Sequence, residues 1–188
     1  MSLVIFLPPL VNDLIMSARK MNLVLIGMAG AGKSTVGPLL AEKLSYGFVD
    51  VDALIEADQQ RSLQELVDQH GAGWFRRLEE KILLGLDLRR HVIATGGSAV
   101  YGPAGMEHLQ KSGVVVFLDV PFVVLEARVG DGATRGLARE EGQSFAHLFA
   151  ERQPLYCRYA DLSIGCDGQS PAQICEAIIT GVMDMLEK

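Results

Sequence analysis

The residue types with the plainest chemistry form one run, Gly27-Met28-Ala29-Gly30-Ala31-Gly32-Lys33-Ser34-Thr35. It fits G-x-x-x-x-G-K-[ST], the phosphate-binding loop. Glycines there let the backbone wrap closely around phosphate oxygens and turn successive N–H groups inward as an anion nest. Lys33 is placed to reach the β- and γ-phosphates, and the Ser34 hydroxyl to ligate Mg²⁺. Thr35 is expected to begin a helix whose N-terminal dipole also favours the anion. Gly27, Ala29, Gly30, Ala31, Gly32, Lys33, Ser34 and Thr35 are therefore the candidates for holding a nucleoside triphosphate and its Mg²⁺.

A second set of polar residues could receive the phosphate. Asp50 and Asp52 are two carboxylates two residues apart. One can hold a metal shell and the other can accept a proton from a hydroxyl. Asp52 can equally cap the helix pattern that follows it. Gly96-Gly97-Ser98 would let backbone N–H groups approach a ligand closely. Arg76 in F-R-R-L-E and Arg152 in E-R-Q-P-L-Y each read alone as surface charges, but together they would fork a carboxylate. Arg135 lies in a stretch with Gly130, Gly132, Gly136 and Gly142 and no apolar period, a composition that suits a mobile flap. An arginine closing over a transferring phosphoryl group is worth ~10³–10⁵ in rate.

The elements around these residues predict how they meet. Leu23–Ile26 is a short apolar run that suits a strand buried on both faces. Tyr46–Val51, His91–Thr95, the β-branched Val114–Leu118 and Leu162–Gly165 read as further strands. Helical spacing is expected over Val36–Leu44, Ala53–Ala57, Ser62–Gln69, Gly73–Arg90, Glu107–Lys111, Pro121–Val129, Ser144–Tyr159 and Pro171–Leu186. Ser62 and Glu65 form a capping box. Strands alternating with helices imply a parallel sheet covered on both faces, with ligands at the carboxyl ends of the strands. That rule brings the phosphate loop, Asp50 and Asp52, and Gly96 to Ser98 to one pocket.

Bulk properties narrow the function further. The chain has 188 residues, 49% of them hydrophobic, and a formal net charge of -6. One domain is expected over 21–188, with a lid at about 130–142. The acidic balance and the lack of a basic block argue against nucleic-acid binding. Cys157, Cys166 and Cys175 contain no C-x-x-C pair and read as reduced packing residues of a cytoplasmic protein. Residues 1–20 lack a basic leader region and are too short and broken by Pro8-Pro9 to span a membrane, so they read as an N-terminal extension or arm. The partner expected is a small molecule, with no nucleic acid and no membrane. A monomer is expected, and a dimer stays compatible.

The combination resembles the shikimate kinase family from Met21 onward. The resemblance rests on G-M-A-G-A-G-K-S-T, F-V-D-V-D-A-L-I-E, W-F-R-R-L-E, A-T-G-G, R-G-L and R-Q-P-L-Y in that order. It implies a three-layer α/β/α P-loop kinase with a five-stranded parallel sheet of order 2-3-1-4-5 and a closing lid. It further implies that Asp50 serves the metal shell and Asp52 the substrate hydroxyl. Arg76, Gly96, Gly97, Ser98 and Arg152 would bind substrate, with Lys33, Asp52 and Arg135 in the catalytic roles. Arg128 and the segment around Pro171 would clamp adenine. The chain departs from the family pattern at Ser98, where a third glycine is usual. It departs again at Gly136, where the lid usually has proline, and at Ala72, where an acid usually follows the glycine. Shikimate is the leading acceptor, with homoserine, gluconate or another small hydroxy acid as alternatives. A non-catalytic nucleotide-binding module is a further alternative.

Overall fold

A computed structural model describes residues 21–129, 137–139 and 142–187. Its centre is β1 (Asn22–Ile26), buried throughout. β1 pairs in parallel with β3 (His91–Ala94) on one side and β4 (Gly113–Asp119) on the other. β2 (Gly47–Asp50) extends the sheet beyond β3, and β5 (Leu162–Gly165) beyond β4. The order is thus β2-β3-β1-β4-β5, the expected one. Consecutive residues of β1 and β4 are buried, so both faces are covered, as continuous apolar runs require. Asn22 ties β1 to the foot of β3 from within the core, donating to the Leu88 carbonyl (2.7 Å) and accepting from the His91 N–H (3.0 Å).

Helices connect the strands. α1 (Lys33–Leu44) follows β1 and packs on the last helix, α8 (Pro171–Leu186). After β2 come α2 (Val51–Gln59), α3 (Leu63–His70) and α4 (Ala72–Leu84). α5 (Pro103–Ser112) packs on α4, α6 (Phe122–Val129) follows β4, and α7 (Phe145–Tyr159) precedes β5. The Ser62–Glu65 capping box opens α3 as the sequence predicts.

Several boundaries move, each for a local reason. α1 starts at Lys33 rather than Thr35, because Gly32 in the left-handed region (φ 96°) ends the loop there. β2 gives up Val51, because Asp50 caps α2 by accepting from the N–H groups of Asp52 (3.0 Å) and Ala53 (3.4 Å). Asp50, not Asp52, is therefore the cap. α4 stops at Leu84 and does not run to Arg90. The carbonyls beyond it are claimed by tertiary partners, Leu86 by His108 and Leu88 by Asn22. α5 begins at Pro103, one turn before the expected start. Its free N–H groups at Ala104 and Gly105 are accepted by Glu80 from α4 (3.0 and 3.3 Å). Among the described residues no helix is long and apolar enough to cross a membrane. Residues 1–20 and most of the expected lid, Arg135 and Gly136 included, lie outside the described residues.

Candidate active site

The carboxyl ends of β1, β2 and β3 do meet. After β1, Gly27 takes φ 144° and an added Cβ would lie 2.9 Å from the Leu118 carbonyl oxygen, so the loop can leave the sheet there only as glycine. Gly30 (φ 82°) and Gly32 (φ 96°) complete the curl. Ala31 is buried beneath it and its N–H donates to the Met28 carbonyl at 3.1 Å. Lys33 is buried and lies back across the loop, donating to the carbonyls of Gly27 (2.7 Å) and Met28 (2.9 Å). Burial pulls its pKa down to about 8, with Asp52 opposing and Arg152 reinforcing the shift. A bound phosphate would reverse that pull by supplying the opposite charge.

At the mouth of the loop, the Ser34 hydroxyl donates to Asp50 Oδ2 at 2.6 Å. Thr35 is exposed beside it. This pair of hard oxygen donors fits Mg²⁺, which takes one or two protein ligands and completes its shell with water and phosphate oxygens. Asp50 thus holds one side chain in two tasks, capping α2 with Oδ1 and facing Ser34 with Oδ2.

Asp52 is half-buried in the first turn of α2. Burial pushes its carboxyl up to about 6, against the pull of Lys33 and with the push of Asp50. A carboxyl in that range can take a proton near neutrality. Asp52 lines a small pocket with Lys33, Gly96, Gly97, Ser98 and Arg152, a volume of about 50 Å³. Leu137 and Ala138 close its far side. The pocket therefore gathers the candidates from both halves of the sequence.

Gly96 and Gly97 earn their places by close approach. A Cβ on Gly96 would collide with Glu79 Oε1 and sit 2.7 Å from Asp52 Oδ1. A Cβ on Gly97 would sit 3.0 Å from Arg152 Nη1. Arg152 is 1% exposed, on α7, and donates to the Ala138 carbonyl at 2.8 Å. Arg76, on α4, reaches the same carbonyl at 3.5 Å. The two guanidinium groups converge on one acceptor, which is the geometry that a substrate carboxylate would need. One turn after Arg152, the Tyr156 hydroxyl donates to the Gly97 carbonyl at 2.6 Å and fixes the glycine turn.

Ser98 is buried, and its hydroxyl is taken up by a bond to Glu79 Oε2. Glu79 is the residue that sequence reasoning missed. Burial, then the neighbouring Asp52 charge, push it up to about 7, and its Oε1 has no partner among the described residues. The signal was present in W-F-R-R-L-E, because three residues after Arg76 is the same face of a helix. Arg128 ends α6 and donates to the Gly30 carbonyl at 3.0 Å, so it lies against the phosphate loop. Pro171 is exposed at the first turn of α8, a position that suits proline's fixed φ.

Comparison with known proteins gives the same frame. The family profile described as "Shikimate kinase" matches residues 29–183. A shikimate kinase from a Sulfurihydrogenibium species is 36% identical over 162 residues, which cover 86% of this chain and 97% of that protein. One from Thermosynechococcus vestitus is 39% identical over 162 residues, 84% of this chain and 87% of the relative. Among solved structures, a shikimate kinase from Acinetobacter baumannii in complex with shikimate has a TM-score of 0.82 at 29% identity, covering 91% of this chain and 97% of that one. The Aquifex aeolicus shikimate kinase has a TM-score of 0.75 at 30% identity, covering 87% and 96%. With the profile spanning most of the chain and relatives 36% and 39% identical over more than four fifths of it, the protein belongs to the shikimate kinase family.

Proposed function

We propose that this chain transfers the γ-phosphoryl group of ATP to a hydroxyl of shikimate. The observation that carries the reading is the single pocket in which Lys33, Asp52, Gly97 and Arg152 face one another. A carboxylate held by Arg152 and Arg76 would turn the substrate's hydroxyl toward Asp52. The hydroxyl oxygen bonds to the γ-phosphorus as the bond to the β-bridging oxygen breaks, and the hydroxyl proton passes to Asp52. Lys33 would leave the Gly27 and Met28 carbonyls for the β- and γ-phosphate oxygens and offset their charge. Mg²⁺, when bound, neutralises further phosphate charge, and Ser34 and Asp50 would hold it. Arg135 would cover the transferring group, and Arg128 with the segment around Pro171 would hold the adenine.

Ser98 bears on the acceptor. Its hydroxyl is engaged by Glu79, so the departure from the family glycine leaves Gly96 and Gly97 open to the substrate. A coupled ADP-release assay with shikimate, homoserine and gluconate in parallel tests the reading. Shikimate is expected to exceed both by at least about a hundredfold in kcat/KM, the discrimination that several misplaced hydrogen bonds produce. Equal or faster turnover of homoserine or gluconate would replace shikimate as the acceptor.

A further inference from the structure

Both guanidinium groups of the fork lie over one aromatic ring. Arg76 Cζ is 4.0 Å from the centroid of the Tyr101 ring and Arg152 Cζ is 5.3 Å from it. Both distances are within the ~6 Å at which a cation is drawn to an aromatic face. Tyr101 closes the short 3-10 turn Ala99–Tyr101 that follows the glycine turn after β3, and its N–H donates to the Ser98 carbonyl at 3.0 Å. That turn packs against both α4 and α7, the helices that carry Arg76 and Arg152. The ring direction is therefore set by the same main chain that forms the substrate pocket.

The two arginines need such a support. They are like charges pointed at one acceptor, Ala138, from two different helices. Arg152 is almost fully buried, and among the described residues no carboxylate stands within ion-pair distance of it. Its Nε lacks a partner among those residues as well. Asp52, Glu79 and Glu151 act on Arg152 from beyond that distance, and a buried cation with no carboxylate in contact is costly unless other groups face it. The Tyr101 hydroxyl faces Glu151 and Arg152, and its electron-rich ring face adds an attraction that does not use up the N–H groups a carboxylate must reach. A carboxylate in that place would hold the arginines equally well but would compete with the substrate for them.

We infer that Tyr101 is a positioning residue for the acidic substrate: its ring is a shared platform that holds Arg76 and Arg152 at the spacing of one carboxylate. This rests on the reading of those arginines as the carboxylate fork. It makes Tyr101 a determinant of affinity for shikimate that acts through two other side chains, with no contact to ATP.

The test grades the ring without changing its shape. Tyr101→Phe keeps the platform, and its shikimate KM is expected to stay within about twofold of the unaltered chain. Mono-, di- and trifluorinated phenylalanine at position 101 then drain the ring face stepwise. Shikimate KM is expected to climb with each fluorine, and Tyr101→Leu to raise it on the order of tenfold. ATP KM should stay constant across the series and kcat should change less than shikimate KM. A flat shikimate KM across the fluorinated series overturns the platform, and so does a parallel rise in both KM values. Turnover of shikimate by the unaltered chain, measured in the same assay, tests the function itself. An unaltered chain that turns over shikimate while the series stays flat sinks only the platform.

Discussion

Glu79 and Asp52 flank Gly96 so closely that neither would tolerate a Cβ there, and both carry pKa values above their ordinary range, about 7 and about 6. The sign of the consequence follows from linkage. Each folded value lies above the unfolded one, so each neutral form contributes stability at low pH that is lost as pH rises through the folded value. Asp52→Asn removes one of the two charges. Its melting temperature should exceed that of the unaltered chain at pH 8, on the order of 1 kcal/mol in stability, and match it near pH 4. The same variant should lose turnover while still binding ATP, measured by calorimetry. Near-normal turnover would remove Asp52 from the proton's path. Arg76→Ala should mainly raise shikimate KM, because the lost bond is made to the bound substrate as much as to the transition state. An unchanged KM would count against the fork.

At this scale the sequence was legible where a residue type has few uses. The lysine and serine of the phosphate loop, the Asp50–Asp52 pair, Arg76 and Arg152 arrive in or beside one pocket. Glu79 was hidden because a lone glutamate on an amphipathic helix usually faces water. Its burial depends on Asp52, Gly96 and Ser98, which come from other elements. Tyr101 was hidden for the same reason, since its partners lie 25 residues before it and 51 after it along the chain.

Elements were legible where their signal is local. β1 and β4 announce themselves by continuous apolar runs, α3 by its capping box and α8 by its helical spacing. The starts and ends that shifted are the ones decided from elsewhere in the chain. α5 has glycine at its N-cap and no side-chain cap of its own, because Glu80 of α4 supplies the acceptor. Glu80→Ala should therefore cost about 1 kcal/mol, like the loss of a local N-cap, although Glu80 lies in another helix. A melting temperature unchanged in that variant would show that water serves those N–H groups equally well. Gly113, at the start of β4, has no room beside it, since an added Cβ would strike the carbonyl of Asn22 in β1. Gly113→Ala should force the two central strands apart and lower stability by about 1–3 kcal/mol, read by chemical denaturation.

For the whole molecule, the sheet order β2-β3-β1-β4-β5 explains why residues so far apart in sequence share a pocket. β1 and β3 are neighbours, so the loops leaving them, Gly27–Gly32 and Gly96–Ser98, stand side by side at the same edge. β2 adjoins β3 and delivers Asp50 and Asp52 to the seam between them. Alternation of strands and helices implied that edge before any contact was known. The family pattern supplied the order of the strands, which periodicity alone does not determine.

The Ala138 carbonyl, gripped by both arginines, gives substrate binding a particular character. If the two arginines hold the substrate carboxylate, that carboxylate would take over bonds that a main-chain oxygen already holds. Binding is then an exchange in which an anion replaces a neutral dipole, and affinity measures only the difference between the two.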